Sequence, residues 1–291
     1  MKPLPLLLLL LFLTKTVAQN STPEWQTIKI GETSYISADE LKAHYGVDAE
    51  VNFLLGSHIA FIHGVKFLTA HPIRKQAEQT YISERDVTTL ITPLLQPKPE
   101  KQPPKFTTVI LDAGHGGHDK GAANKESALS LGLALQIKAL LEKQNLKVIM
   151  TREKDQFTSL TSRVKSANTH KQAIMVSLHF NSGNKNASGF ETYVMSGRTP
   201  VYKNNALSLT LASHLHAHAL LKLGAGTIKD RGIRRAKFRI LKDCIHPSIL
   251  IEGGFLTHKE ESATIQTEQF QKKLAQGISA GIIAFRKTLG N

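Results

Sequence analysis

Residues 106–150 read FTTVILDAGHGGHDKGAANKESALSLGLALQIKALLEKQNLKVIM. The apolar run from Phe106 to Asp112 has the length of a buried strand and breaks at a cluster of glycines. Glu126 to Gln144 carries the apolar spacing of an amphipathic helix, and Lys147 to Met150 is a second short apolar run. Strand, glycine-rich turn, helix and strand in that order make the repeating unit of a parallel sheet. The pattern continues outward with a helix over Ser159 to His170 and strands over Ala173 to Leu178 and Phe190 to Met195. A helix follows near Asn205 to Leu221, then a buried strand over Ser248 to Ile251 and a closing helix over Phe270 to Leu289. Residues 106–291 are therefore expected to form an α/β domain, a mostly parallel sheet with helices on both faces.

In such sheets ligands gather beyond the carboxyl ends of the strands. Three strands end there in chemically active residue types: Asp112-Ala113-Gly114-His115-Gly116-Gly117, Ser177-Leu178-His179-Phe180-Asn181, and Ile251-Glu252-Gly253-Gly254-Phe255. Glu126 opens the helix after the glycine-rich loop. That loop lacks the Lys-Ser/Thr ending of a phosphate cradle and the dinucleotide-binding fingerprint. Glu252 at the end of so apolar a strand is costly to bury unless paired or functional. Two His and one carboxylate with an open fourth position are a catalytic zinc set, and a further carboxylate can then move protons.

In combination these residues resemble the zinc-dependent N-acetylmuramoyl-L-alanine amidases of the amidase type 3 family. The resemblance rests on the Asp112–Gly117 loop, Glu126, the Ser-x-His-x-Asn strand end at Ser177–Asn181, and Glu252-x-Gly-Phe. Thr151-Arg152, Arg163 with Ala167-Asn168, Gly189-Phe190-Glu191-Thr192-Tyr193 and Asp230-Arg231-Gly232 extend it. It implies a peptidoglycan hydrolase in which Zn2+ is held by His115, Glu126 and His179, with Glu252 catalytic. The loop between His115 and Glu126 is shorter than usual in that family, and Ser127-Ala128 replaces a frequent charged pair. The interval from His179 to Glu252 is too short for the long autoinhibitory helical insertion of some relatives. A zinc carboxypeptidase or other cell-wall peptidase uses the same ligand types, and a non-catalytic wall-binding adaptor is the reading from a different class.

Upstream, Lys2, the apolar run Leu4 to Leu13 and Thr16-Val17-Ala18 read as an export signal over residues 1–18. Periplasm, cell wall or exterior is the expected location, with no integral membrane segment after cleavage. Residues 96–105, rich in Pro and charge, read as a semi-rigid spacer. Between them, residues 19–95 are expected to form a small α+β domain. It contains an internal echo, Ser34–Leu41 against Thr80–Val87, each a short strand entering a helix with Ser37 and Ser83 as N-caps. This module resembles the stalk domain at the N-terminus of copper amine oxidases, and His58, His63 and His71 read as ordinary strand and loop residues.

Cys244 is the single cysteine, which excludes an intrachain disulfide and a Cys-rich metal knuckle; it reads as a buried small hydrophobe. The net charge of +14 favours an anionic partner. The basic residues are dispersed and aromatics are 6% of the chain, so the anionic cell envelope suits it better than nucleic acid. Peptidoglycan is the expected partner, together with an activator protein if the site is regulated. His214, His216 and His218 stand at two-residue spacing, which does not put neighbours on one helix face; His214 and His218 do share a face, expected to be solvated rather than an accessory metal site.

Overall fold

The computed structural model describes residues 23–48, 50–96, 105–197 and 205–290. The export signal and most of the Pro-rich spacer lie outside the described residues. Two units are distinguished, Met1–Pro99 and Glu100–Asn291.

The first unit runs β1 (Thr27–Ile30), β2 (Thr33–Ser37), α1 (Ala38–Tyr45), β3 (Val51–Leu54), β4 (Ile59–Ile62), β5 (Val65–Leu68), β6 (Arg74–Gln76) and β7 (Gln79–Ser83). A helical segment closes it: α2 (Glu84–Asp86), a π turn (Val87–Ile91) and α3 (Thr92–Leu95). The two copies of the internal echo lie side by side, since β2 pairs antiparallel with β7 through Tyr35↔Ser83 and Ile36↔Ile82. Their caps differ. Ser83 Oγ accepts from the Asp86 backbone N–H at 3.1 Å, whereas Ser37 makes no side-chain cap. Asp86 is the more committed residue, because its carboxylate also accepts from the backbone of Ala70 and His71.

The second unit contains β8 (Thr108–Ala113), α4 (Glu126–Glu142), β9 (Lys147–Met150), α5 (Leu160–Asn168), β10 (Ala173–Asn181) and β11 (Phe190–Met195). It continues with α6 (Asn205–Leu223), β12 (Asp230–Ala236), α7 (Arg239–Lys242), β13 (Ser248–Phe255), α8 (Lys259–Ile265) and α9 (Glu268–Thr288). Its strands lie in the order β12-β11-β13-β10-β8-β9. Every residue of β8 is buried, as a strand covered on both faces requires.

The sheet is mixed, which corrects the mostly parallel expectation. β9, β8, β10 and β13 are parallel neighbours, but β11 runs antiparallel to β13 and carries β12 with it. The reason lies between β10 and β11. A parallel return needs a crossover of about a dozen residues or more, and residues 182–189 hold no helix to make one. The chain therefore turns back directly at the carboxyl end. β12 itself is absent from the sequence reading because Asp230, Arg231, Arg234 and Arg235 hide any apolar alternation.

Sheet parity places the site. Met175 and Leu250 pack with Val164 and Ala167 of α5 and with Ile240 and Leu241 of α7. His179 and Glu252 lie on the same faces of their strands as Met175 and Leu250 and so emerge on the α5/α7 side. Phe180 emerges opposite, near Leu274 of α9, where a Cβ on Gly253 would come within 2.6 Å of its ring.

α6 is buried rather than solvated, a second correction. His214 and His216 are 3% and 1% exposed. α9 presses on α6 through Gly277 and Gly281, where a Cβ would lie 2.7 Å from the Cα of Ala219 and of Leu215. His216 bridges strands, with Nδ1 2.9 Å from Thr192 Oγ1 and Nε2 3.0 Å from Asp230 Oδ1. Cys244 is buried in the α5/α7 core, where burial pushes its thiol up to about 11. Among the described residues no helix is long and apolar enough to cross a membrane.

Candidate metal centre

At the end of β8 the chain must turn sharply. His115 takes a left-handed backbone, φ 59°, followed by Gly116 at 130° and Gly117 at 63°. A Cβ on Gly116 would approach the Gln156 carbonyl oxygen to 2.2 Å, so only glycine fits there. The turn is pinned from behind. Arg152, 1% exposed, donates Nε to the Ala113 carbonyl and Nη2 to those of Gly114 and Ser127. Arg163 donates to Asp112 Oδ1 at 2.8 Å and also to the carbonyls of Ala113 and His115.

Asp112 joins these supports together. Its carboxylate accepts from Thr151 at 2.7 Å, Ser177 at 2.6 Å and Arg163. Burial opposes its ionisation, but the Arg163 charge and these hydrogen bonds prevail and hold its pKa below the usual carboxylate value.

His115, Glu126 and His179 come together. His115 Nε2 lies 3.0 Å, and His179 Nδ1 2.7 Å, from the same oxygen, Glu126 Oε1. One donor atom from each residue fits within a 4.8 Å group. Glu126 is 4% exposed, and its Oε2 accepts from the Ala122 N–H at 2.7 Å. Burial works against its charge, yet the hydrogen bonds from the two imidazoles hold its pKa at about 2. The hydrogen bond to Glu126 raises His115 against the effect of its own burial. His179 lies where a side chain on Gly114 would be, since a Cβ there would meet its ring at 2.3 Å.

Glu252 is in register with His179 across β10 and β13. Its buried Oε2 has no hydrogen-bond partner. Burial first, then the charges of Glu126 and Glu191, raise its pKa well above the ordinary carboxylate value.

The sequence reading assigned no role to Asp119, whose Oδ2 accepts from His115 Nδ1 at 2.9 Å. That contact fixes the tautomer and leaves Nε2 facing Glu126, the usual carboxylate support behind a metal-binding imidazole. Two imidazole nitrogens and one carboxylate oxygen are a donor set that Zn2+ takes. The chemistry of the residues present therefore fits that ion.

The N-acetylmuramoyl-L-alanine amidase family, Amidase_3, matches residues 109–284. The chain belongs to this family. That membership places it among the peptidoglycan hydrolases.

The amidase CwlM of Bacillus licheniformis is 31% identical over 179 residues, 60% of this chain and 66% of that protein. The catalytic domain of CwlV from Paenibacillus polymyxa superimposes with a TM-score of 0.55 at 34% identity, covering 61% of this chain and 96% of that one. The N-acetylmuramoyl-L-alanine amidase of Clostridium difficile 630 superimposes with a TM-score of 0.58 at 32% identity, covering 63% and 98%. The amidase match thus starts within β8 and ends within α9, enclosing the His115–Glu126–His179 cluster and Glu252.

Proposed function

We propose that the protein hydrolyses the amide joining the lactyl carbonyl of N-acetylmuramic acid to the stem-peptide L-alanine, with Zn2+ held by His115, Glu126 and His179. The observation that carries this reading is the convergence of two imidazole nitrogens on one buried carboxylate oxygen, with Asp119 behind one imidazole. Zn2+ bound there supplies Lewis-acid polarisation of the carbonyl and activation of a water.

Glu252 is the proton-transfer group. It shares a sheet row with His179, and no hydrogen bond engages its buried Oε2. Its raised pKa, a consequence of burial and of the neighbouring carboxylates, strengthens it as a proton acceptor. As water adds to the carbonyl, Glu252 removes one of its protons. It then delivers that proton to the alanine nitrogen as the C–N bond breaks, because an amine leaves poorly until protonated. The products are a lactyl carboxylate and a peptide with a free L-alanine amino terminus.

The first unit is proposed as a spacer or wall-attachment module, and residues 1–18 as the export signal that brings the enzyme to the envelope. The solved CwlD amidase of Clostridioides difficile is in complex with the GerS lipoprotein. A protein regulator is accordingly the partner class to seek beside peptidoglycan itself.

Digestion of purified sacculi followed by mass spectrometry of the released ends tests the reading. New L-alanine amino termini matched by muramic acid carboxyl groups are expected. Ends within the stem peptide would make the protein a peptidase, and no new ends at all would make it a wall-binding adaptor.

A further inference from the structure

The row that holds His179 and Glu252 extends one strand further. Glu191 pairs with Glu252 across β11 and β13, so the three residues lie side by side on one face. Adjacent strands are about 4.8 Å apart. Glu191 is therefore the immediate neighbour of the proton-transfer residue, on the side away from His115 and Glu126.

Glu191 is 1% exposed and fully engaged. Its Oε2 accepts from the Tyr193 hydroxyl at 2.7 Å and from Asn181 Nδ2 at 3.0 Å. Arg231 donates Nε to its Oε1, and Arg234 Nε lies 3.2 Å from the same oxygen. Two guanidinium groups thus share one carboxylate oxygen.

The two arginines are spent unequally. Arg231 also donates Nη1 to the Ser188 carbonyl at 3.3 Å and lies over the Phe255 ring, 5.0 Å from its centroid. Arg234 is held only by charge. Its buried Nε has no hydrogen-bond partner, and among the described residues its terminal nitrogens donate to none. Its side chain is 30% exposed. A planar fork of unspent donors is suited to bidentate capture of a carboxylate.

We propose that Arg234, positioned by Glu191 and Arg231, binds a free carboxylate of the peptide stem and so selects among peptidoglycan chemotypes. This rests on the amidase reading. If the scissile amide lies at Glu252, the first carboxylate beyond it is the α-carboxylate of the second stem residue, a D-glutamate linked through its γ-carboxyl. Where that group is amidated to D-isoglutamine, the anion is gone and the fork loses its match. Carboxylates of the third stem residue are the other source of the same chemistry.

The test uses the full-length protein and two stem peptides, L-Ala-γ-D-Glu-L-Lys-amide and its D-isoglutamine counterpart. The carboxylate of the first is the α-carboxylate of D-glutamate. Binding of both peptides is titrated, and cleavage of both is followed with N-acetylmuramic acid attached. The wild type should favour the carboxylate form by about tenfold or more, expressed mainly in KM, as expected for a hydrogen-bonded charge pair. In Arg234→Gln the preference should fall toward unity, and Arg234→Lys should restore part of it. An equal loss on both peptides would show a structural role and overturn the proposal, as would a wild type that does not discriminate. Selectivity that appears only when L-Lys acid replaces the amide would keep the carboxylate site at Arg234 and assign it the third residue's carboxylate. Discrimination in binding without cleavage of either substrate would defeat the amidase reading instead, leaving the carboxylate site standing.

Discussion

Asp119 shows how much of a site one residue can decide. His115, Glu126, His179 and Glu252 were legible because each is a ligand or acid–base type at the end of an apolar strand or the start of a helix. Asp119 was not. Its role depends on the left-handed backbone at His115 and on the turn that brings Gly116 N–H to the Asp119 carbonyl at 2.8 Å, geometry that residue spacing does not encode. Glu191 was visible only within a motif, because its partners Arg231 and Arg234 come from a strand that charge concealed. Replacing Asp119 with Ala should leave the fold intact and lower zinc affinity about 10- to 100-fold. Competition with a chelator measures this, and an affinity equal to that of the wild type would contradict the support role.

Elements were legible where burial imposes a period and illegible where it does not. β8, α4, β9 and α9 follow from their apolar spacing. The reversed direction of β11 does not, since the same residues suit either pairing and only the helix-free segment 182–189 decides. The histidines of α6 misled because polar side chains in a helix read as a solvated face, whereas the glycines of α9 and the Thr192–His216–Asp230 bridge bury them. What joins the elements beneath the site is Asp112, whose carboxylate ties β8 to Thr151 just beyond β9, to Ser177 of β10 and to Arg163 of α5. Asp112→Asn should cost about 3–5 kcal/mol, because it strands a buried guanidinium. The pH dependence has a definite sign. A depressed folded pKa contributes stability that is present above the ordinary carboxylate value and lost as pH falls through the folded value. The thermal midpoint of the wild type should therefore fall in that acidic window, and Asp112→Asn should flatten the fall. A variant with unchanged midpoint and unchanged acid profile would remove Asp112 from this role.

At the scale of the whole molecule, the family match occupies residues 109–284, and every residue of the proposed chemistry lies inside it. Among its described residues the first unit shows no such constellation, and its net contribution is proposed to be attachment within an anionic envelope, in keeping with the chain's charge of +14. The central claim is narrower: one zinc, held by His115, Glu126 and His179, with Glu252 free to move protons. Zinc bound per chain, measured by elemental analysis on the full-length protein and its Glu126→Gln and Glu252→Gln variants alongside turnover, tests it most directly. Glu252→Gln should retain the zinc of the wild type while turning over about 100- to 10,000-fold more slowly. Glu126→Gln should lose zinc and recover part of its activity in excess metal. Zinc lost from Glu252→Gln but kept by Glu126→Gln would exchange the two roles, and full turnover by Glu252→Gln would contradict the account outright.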